Sequence, residues 1–163
     1  MWKIFKAAEI VEFAVRIEQN GYTFYQKAES FVNNPAAKEL LAYLKEEEAK
    51  HEKLFREMMG TLEPANVRET YEGEYEEYLK ALVDNHVFGA EGAAEKALAR
   101  INNEIEVLNT AMGFEKDTIL FFRELRDLVS DKDREVVDRL IREEQSHLRK
   151  LALVKAELCT CGE

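Results

Sequence analysis

Apolar residues recur along most of this 163-residue chain at the three-to-four-residue spacing of an α-helix. Asn34 and Pro35 mark the start of one such stretch, because Asn caps helices and Pro suits their first position. The pattern predicts four long helices, at about residues 6–30, 35–59, 101–129 and 131–158.

A long connection, about residues 60–100, separates the second and third of these helices. Two shorter helical stretches are expected in it, in EYEEYLKALVDNHVF and in GAEGAAEKALAR. A connection of this length can carry the chain from one end of the molecule to the other. We therefore predict an all-α four-helix bundle, with two helical hairpins joined by a long, partly helical crossover. It forms a single domain over residues 1–158, followed by a Cys-containing tail at 159–163.

A Glu-x-x-His pair occurs twice, in EEEAKH on the second long helix and in EEQSH on the fourth. Residues three apart lie on one face of a helix, so Glu48 pairs with His51 and Glu144 with His147. Both pairs continue an apolar line that should be buried; its other members are Leu41, Leu44 and Phe55 on the second helix and Val137, Leu140 and Leu151 on the fourth. A single pair in a Glu-rich helix is weak evidence for a site, and Glu46, Glu47 and Glu143 are neighbouring candidates.

The two halves of the chain repeat each other. AVRIEQNGYTFY, shifted by 97 residues, overlies AMGFEKDTILFF and aligns Glu18 with Glu115, each in an apolar line. The two Glu-x-x-His pairs are 96 residues apart. Four buried carboxylates would repel one another and are costly unless neutralised. Four Glu (−4) and two divalent cations (+4) balance with both His neutral, and carboxylate with imidazole suits iron or manganese.

Composition excludes several other classes of protein. The net charge is −10, from 33 acidic and 23 basic residues, whereas a nucleic-acid-binding surface would be basic. The chain has only Cys159 and Cys161, too few for a disulfide framework. Neither a signal-peptide core nor a run of about 18 apolar residues is evident, so we expect a cytoplasmic protein without membrane contact.

The motifs IEQNGYTFY, EEEAKH, GFEKDTILFF and EEQSH resemble those of the ferritin-like di-iron carboxylate superfamily, most closely its rubrerythrin-type branch without a rubredoxin domain. The resemblance covers about residues 6–158 and implies a ferritin-like four-helix bundle with two iron ions per chain, although manganese or a mixed pair is also open. It implies six metal ligands: Glu18, Glu48, His51, Glu115, Glu144 and His147.

The resemblance also implies supporting residues around the ligands. Tyr25 resembles a tyrosine that hydrogen-bonds ligand carboxylates, and Glu47 and Glu143 resemble acids that orient a ligand His across the bundle. Two departures matter. Thr118 stands where rubrerythrins have a seventh metal-binding Glu, which makes the set more like that of bacterioferritin, and Cys-Thr-Cys replaces the paired Cys-x-x-Cys motifs of a rubredoxin domain.

The leading hypothesis is therefore a di-iron oxidoreductase that reacts with hydrogen peroxide or dioxygen, as a rubrerythrin-like peroxidase or a ferroxidase, in the response to oxidative stress. An external electron donor, such as a rubredoxin-like protein, and a homodimer are expected from the resemblance. Two other hypotheses stay open: a non-catalytic iron or metal storage or delivery protein, and a metal-free structural bundle. His86 is expected to be an ordinary residue of the crossover, and Tyr71, Tyr75 and Tyr78 a helical face that packs on the bundle or a partner chain.

Overall fold

A computed structural model of the chain describes residues 7–59 and 74–160. The described residues contain no β-strand, so the prediction of an all-α protein is confirmed. The helices are α1 (Ala7–Ala28), α2 (Pro35–Met59), α3 (Glu74–Asn85), α4 (Ala93–Leu98), α5 (Glu104–Leu128) and α6 (Asp131–Thr160).

The first hairpin pairs α1 with α2 along their length. A short 3-10 helix, Glu29–Phe31, ends α1, and the chain then turns at Asn34. The Asn34 side chain accepts a hydrogen bond from the backbone N–H of Ala37 at 3.0 Å, and α2 begins at Pro35. This capped start is the one that the sequence predicts.

The second hairpin pairs α5 with α6. Asn103 caps α5 by accepting from the Glu106 N–H at 2.9 Å, so this helix begins three residues later than expected. Ser130 precedes α6, where its hydroxyl accepts weakly from the Asp133 N–H at 3.3 Å and donates to the Asp133 carboxylate at 2.8 Å. The helix continues through Thr160, two residues beyond its predicted end, so Cys159 lies in its last turn rather than in a separate tail.

The crossover lies against the outside of the bundle, with α4 on α1 and α3 on α5. The hydroxyls of Tyr75 and Tyr78 both donate to Glu124 of α5, at 3.0 and 3.2 Å. These two tyrosines therefore pack on the bundle, while Tyr71 falls outside the described residues. None of the described helices is long and apolar enough to cross a membrane.

The core runs between the four long helices, and its middle is not apolar throughout. The largest side chains in it are fully buried, among them Phe24, Phe55, Phe114, Phe121 and Phe122. Carboxylates and imidazoles occupy the same buried stripes, on all four long helices. The fold thus aligns these polar groups toward one another instead of toward solvent.

Candidate metal centre

Six metal-binding side chains meet in the middle of the bundle, and we call them the six-donor layer. Each is at most 1% exposed. Helices α1 and α5 each contribute one carboxylate, and α2 and α6 each contribute a carboxylate and an imidazole one helical turn apart. The members are Glu18, Glu48, His51, Glu115, Glu144 and His147. The structure therefore brings together all six residues that the sequence and the resemblance indicate.

Within the layer, the donors form two overlapping groups of four. Donor atoms of Glu18, Glu48, His51 and Glu144 all lie within 4.8 Å of one another, and so do those of Glu48, Glu115, Glu144 and His147. Glu48 and Glu144 are shared, whereas each of the other donors belongs to one group. Each of the two groups could hold a metal ion, and the two groups share two carboxylates.

The two imidazoles face the same shared carboxylate. Nδ1 of His147 lies 2.8 Å from one oxygen of Glu144, and Nδ1 of His51 lies 2.8 Å from the other. The two rings are nearly parallel, at 17°, with centroids 5.8 Å apart. Both histidines thus direct Nδ1 into the layer and Nε2 away from it.

Most of the donor atoms in the layer have no hydrogen-bond partner, although they are buried. Native proteins rarely leave buried polar atoms unsatisfied, and those that are call for an explanation. They include both oxygens of Glu18 and of Glu48, Oε2 of Glu115, and the pair Oε1 of Glu144 and Nδ1 of His51, which lie 2.8 Å apart but not in hydrogen-bond geometry. Converging carboxylate and imidazole donors of this kind fit a pair of divalent cations.

The pKa shifts of the layer's side chains also indicate a site for cations. Burial raises the pKa of Glu48 well above its usual range, and the charges of Glu18 and Glu144 raise it further. Burial, together with the charge of Glu144, likewise raises the pKa of Glu115. Burial lowers the pKa of His51, but the carboxylates of Glu144, Glu143 and Glu18 together outweigh burial and raise this pKa overall. Without a cation the layer therefore has to hold protons, which divalent ions would replace.

Tyr25 supports the layer from α1. Its hydroxyl donates to Oε1 of Glu115 at 2.5 Å, which is the contact expected of it. Burial and the nearby carboxylates raise the Tyr25 pKa well above 10, so the phenol keeps its proton and remains a donor. Glu115 is left with one oxygen, Oε2, free for a cation.

The two flanking carboxylates behave differently from each other. Glu143 lies 3.1 Å from Nε2 of His51, across the bundle, which matches the expectation. Glu47 does not make the equivalent contact that we expected. Its carboxylate pairs with Lys50 at 2.5 Å, because the ammonium group lies one turn away on the same helix. Glu46, another candidate, is exposed.

Gly21 is a part of the centre that sequence reasoning did not identify. A Cβ at this position would lie 2.5 Å from Oε2 of Glu48 and 2.7 Å from Cζ of Phe114. Only glycine lets α1 approach a shared carboxylate this closely. The available signal was a glycine inside an apolar helical line, three residues after Glu18.

His86 is buried but lies outside the six-donor layer. Its ring contacts the rings of Phe13, Phe114 and Phe121, and we call this group the His86 box. The Phe88 N–H donates to its Nδ1 at 3.1 Å, and its Nε2 has no partner. The sequence indicated only a crossover residue, because a single His in DNHVF shows no sign of burial.

Two further sequence candidates remain outside the centre. Thr118 is fully buried, and its hydroxyl has no partner. Cys159 is exposed near the end of α6, and Cys161 falls outside the described residues.

Comparison with known proteins gives a family match and a fold match. The rubrerythrin family model matches residues 9–155. A crystal structure described as that of a ferritin-like diiron-carboxylate protein from Thermotoga maritima is 25% identical, with a TM-score of 0.67. The match covers 94% of this chain and 96% of that one, which confirms the ferritin-like fold. No curated protein sequence matches the chain.

Proposed function

Because this chain belongs to the rubrerythrin family, we propose that it is a di-iron oxidoreductase that reacts with hydrogen peroxide or dioxygen. The observation that carries the proposal is the pair of four-donor groups sharing Glu48 and Glu144. A purely structural bundle would have no reason to gather four carboxylates at its centre, since each costs several kcal/mol or so when buried without compensation.

The bound iron pair would supply two electrons to the oxidant and would be restored by an external reductant. The residues of the chain would hold and neutralise that pair. Glu48 and Glu144, which belong to both donor groups, would be shared, and Glu18, His51, Glu115 and His147 would complete the two sites. Four ionised Glu and two divalent ions sum to zero, so the layer needs no further counter-charge.

The surroundings of the layer control orientation and access to water. Tyr25 positions Glu115 by its hydrogen bond, and Glu143 positions His51. Fully buried aromatic rings on α2 and α5, including Phe55, Phe114 and Phe122, pack beside these residues in the core. Such a shell keeps bulk water out and strengthens the attraction between carboxylates and cations.

The reductant is proposed to be external. Cys159 and Cys161 are the only cysteines in the sequence and cannot form the two Cys-x-x-Cys knuckles of a rubredoxin domain. A rubredoxin-like protein is a suitable donor. A homodimer acting in the cytoplasm against peroxide or oxygen completes the proposal.

Metal content and a visible spectrum test this function. Protein purified without added metal should hold about two irons per chain, and its absorption should bleach on anaerobic reduction and return with hydrogen peroxide. Glu115→Ala should abolish the spectral cycle, whereas Glu46→Ala, on the exposed face, should leave it intact. Many irons per chain in a very large particle would indicate storage instead, and two irons that neither hydrogen peroxide nor dioxygen reoxidises would refute the oxidoreductase.

A further inference from the structure

The two cation positions of the layer differ in what surrounds them. We call one the His51 position, completed by Glu18 and His51, and the other the His147 position, completed by Glu115 and His147. The donor sets are identical in chemistry, and the repeat in the sequence relates them. The neighbouring residues do not follow the repeat.

An outer carboxylate holds the imidazole at the His51 position. Oε2 of Glu143 lies 3.1 Å from Nε2 of His51, while Nδ1 faces the layer. A carboxylate on the outer nitrogen fixes the ring orientation and makes the inner nitrogen a better ligand. This imidazole is therefore oriented for a cation before one arrives.

The imidazole at the His147 position lacks this support. Among the described residues, Glu144 inside the layer is the hydrogen-bond partner of the His147 ring. On its other side the ring meets the edge of Tyr43, with centroids 5.8 Å apart. Glu47, which the repeat aligns with Glu143, is instead paired with Lys50 at 2.5 Å.

One difference between the repeats lies three residues after this outer carboxylate. A shift of 96 residues places Glu47 on Glu143 and Lys50 on Ser146. The short, neutral Ser146 leaves Glu143 available to His51, whereas the ammonium group of Lys50 takes the carboxylate of Glu47. The competition is local, because residues three apart share a helix face.

The two carboxylates that each belong to one position only, Glu18 and Glu115, also differ in their surroundings. Both oxygens of Glu18 are free of hydrogen bonds, but Oε1 of Glu115 accepts from Tyr25. A shift of 97 residues places Tyr25 on Phe122, which has no hydroxyl to donate to Glu18. The His51 position can thus offer two terminal oxygens, and the His147 position offers one.

We propose that the His51 position binds its metal ion more tightly than the His147 position, and that Lys50 sets the difference by holding Glu47 away from His147. This inference rests on the metal centre of the proposed function and deepens it. A half-loaded chain would hold its ion at the His51 position, and the ion at the His147 position would be the one that exchanges.

Titration of the metal-free full chain with Co²⁺ tests the inference. Calorimetry and the visible absorption of Co²⁺ should resolve two binding constants. Lys50→Ser frees Glu47 and should tighten the weaker constant by about 10-fold, since outer-shell partners change metal affinity by about 10- to 100-fold. The reciprocal Ser146→Lys should draw Glu143 from His51 and weaken the tighter constant by a similar factor.

Lys53→Ser is the matched control, because Lys53 is exposed on the same helix and pairs only distantly with Glu57, at 3.9 Å. It should leave both constants unchanged, and circular dichroism should show all variants folded. Two equal constants in the wild-type chain, or a Lys50→Ser titration identical to that of Lys53→Ser, would overturn the inference and leave the proposed function standing. Unequal Co²⁺ constants in a chain whose iron neither hydrogen peroxide nor dioxygen reoxidises would support the inference and refute the proposed function. A chain that binds no Co²⁺ would refute both.

Discussion

The six-donor layer and the His86 box both bury polar side chains inside the bundle, yet only the layer gathers several of them. In the layer, donor atoms from four helices lie within 4.8 Å of one another in two groups, and most of the layer's donor atoms have no hydrogen-bond partner. In the His86 box, one unpartnered Nε2 faces the rings of Phe13, Phe114 and Phe121. A buried unsatisfied atom therefore indicates a ligand where donors converge, and only a tolerated cost where it is alone.

The six-donor layer and the His86 box also differ in the charge that they carry. The layer carries four carboxylates and is completed by cations, which bring their own positive charge. Burial lowers the pKa of His86 to about 4, so this ring stays neutral near pH 7 and brings no charge into the core. We therefore expect metal binding in the layer to stabilise the protein, and proton binding by His86 at low pH to destabilise it.

Loading with metal should give the largest effect. At a free metal concentration a thousand times Kd, each ion stabilises the fold by about 4 kcal/mol. Each kcal/mol moves the melting temperature of a chain of this size by roughly 2–4 °C. We expect Mn²⁺-loaded protein to melt roughly 15 °C or more above the metal-free protein, as measured by scanning calorimetry.

Two Glu→Gln variants distinguish stabilisation by metal bound in the layer from stabilisation by metal bound elsewhere. Glu48→Gln removes a shared carboxylate and should reduce the rise in melting temperature to less than half. Glu46→Gln, on the exposed face, should show the full rise. Equal rises in both variants would show that the ions act elsewhere than in the layer.

Substitution of Gly21 should show how tightly the layer is packed. A Cβ there would press on Glu48 and Phe114, so we expect Gly21→Ala to cost about 1–3 kcal/mol. The loss should be greater in metal-loaded protein, where Glu48 cannot move aside. Urea denaturation with and without Mn²⁺ measures both values.

Gly113 offers the matched control on α5, because a Cβ there meets nothing within 4 Å. Gly113→Ala should stabilise the protein by up to about 1 kcal/mol, since alanine favours helix over glycine. A Gly21→Ala variant that is as stable as Gly113→Ala would mean that close approach to Glu48 is unimportant.

Protonation of His86 should give an effect similar in size to that of Gly21→Ala, and it appears only at low pH. The pKa is about 4 in the folded protein and about 6.5 in an unfolded chain, so the unfolded state binds the proton more readily between these values. Stability is full above about pH 7 and falls as the pH falls, by about 2 kcal/mol at pH 5.

His86→Asn should remove this loss, because its amide oxygen can still accept from the Phe88 N–H and does not titrate. Urea denaturation of both metal-free proteins at pH 7.5 and pH 5 gives the comparison. Parallel losses in the two proteins would show that the acid sensitivity lies elsewhere.

Much of this picture was accessible from the sequence. Helical periodicity predicted the four long helices, and Asn34–Pro35 located the start of α2. The start of α5 and the end of α6 each lie two or three residues later than the sequence predicted. Helix ends depend on local hydrogen bonds, such as that from the Glu106 N–H to Asn103. Glu-x-x-His spacing placed each donor pair on a buried face, and charge neutrality required cations.

Contacts between side chains were decided only by the tertiary structure. Tyr25 reaches Glu115, Gly21 admits Glu48, and His86 is enclosed by phenylalanines, since each contact joins helices or loops distant in sequence. Glu47 and Glu143 look equivalent in the sequence, but the first pairs with Lys50 and the second reaches His51. Spacing along a helix sets which face a residue occupies; which of two competing partners it meets there depends on distances that only the folded bundle defines.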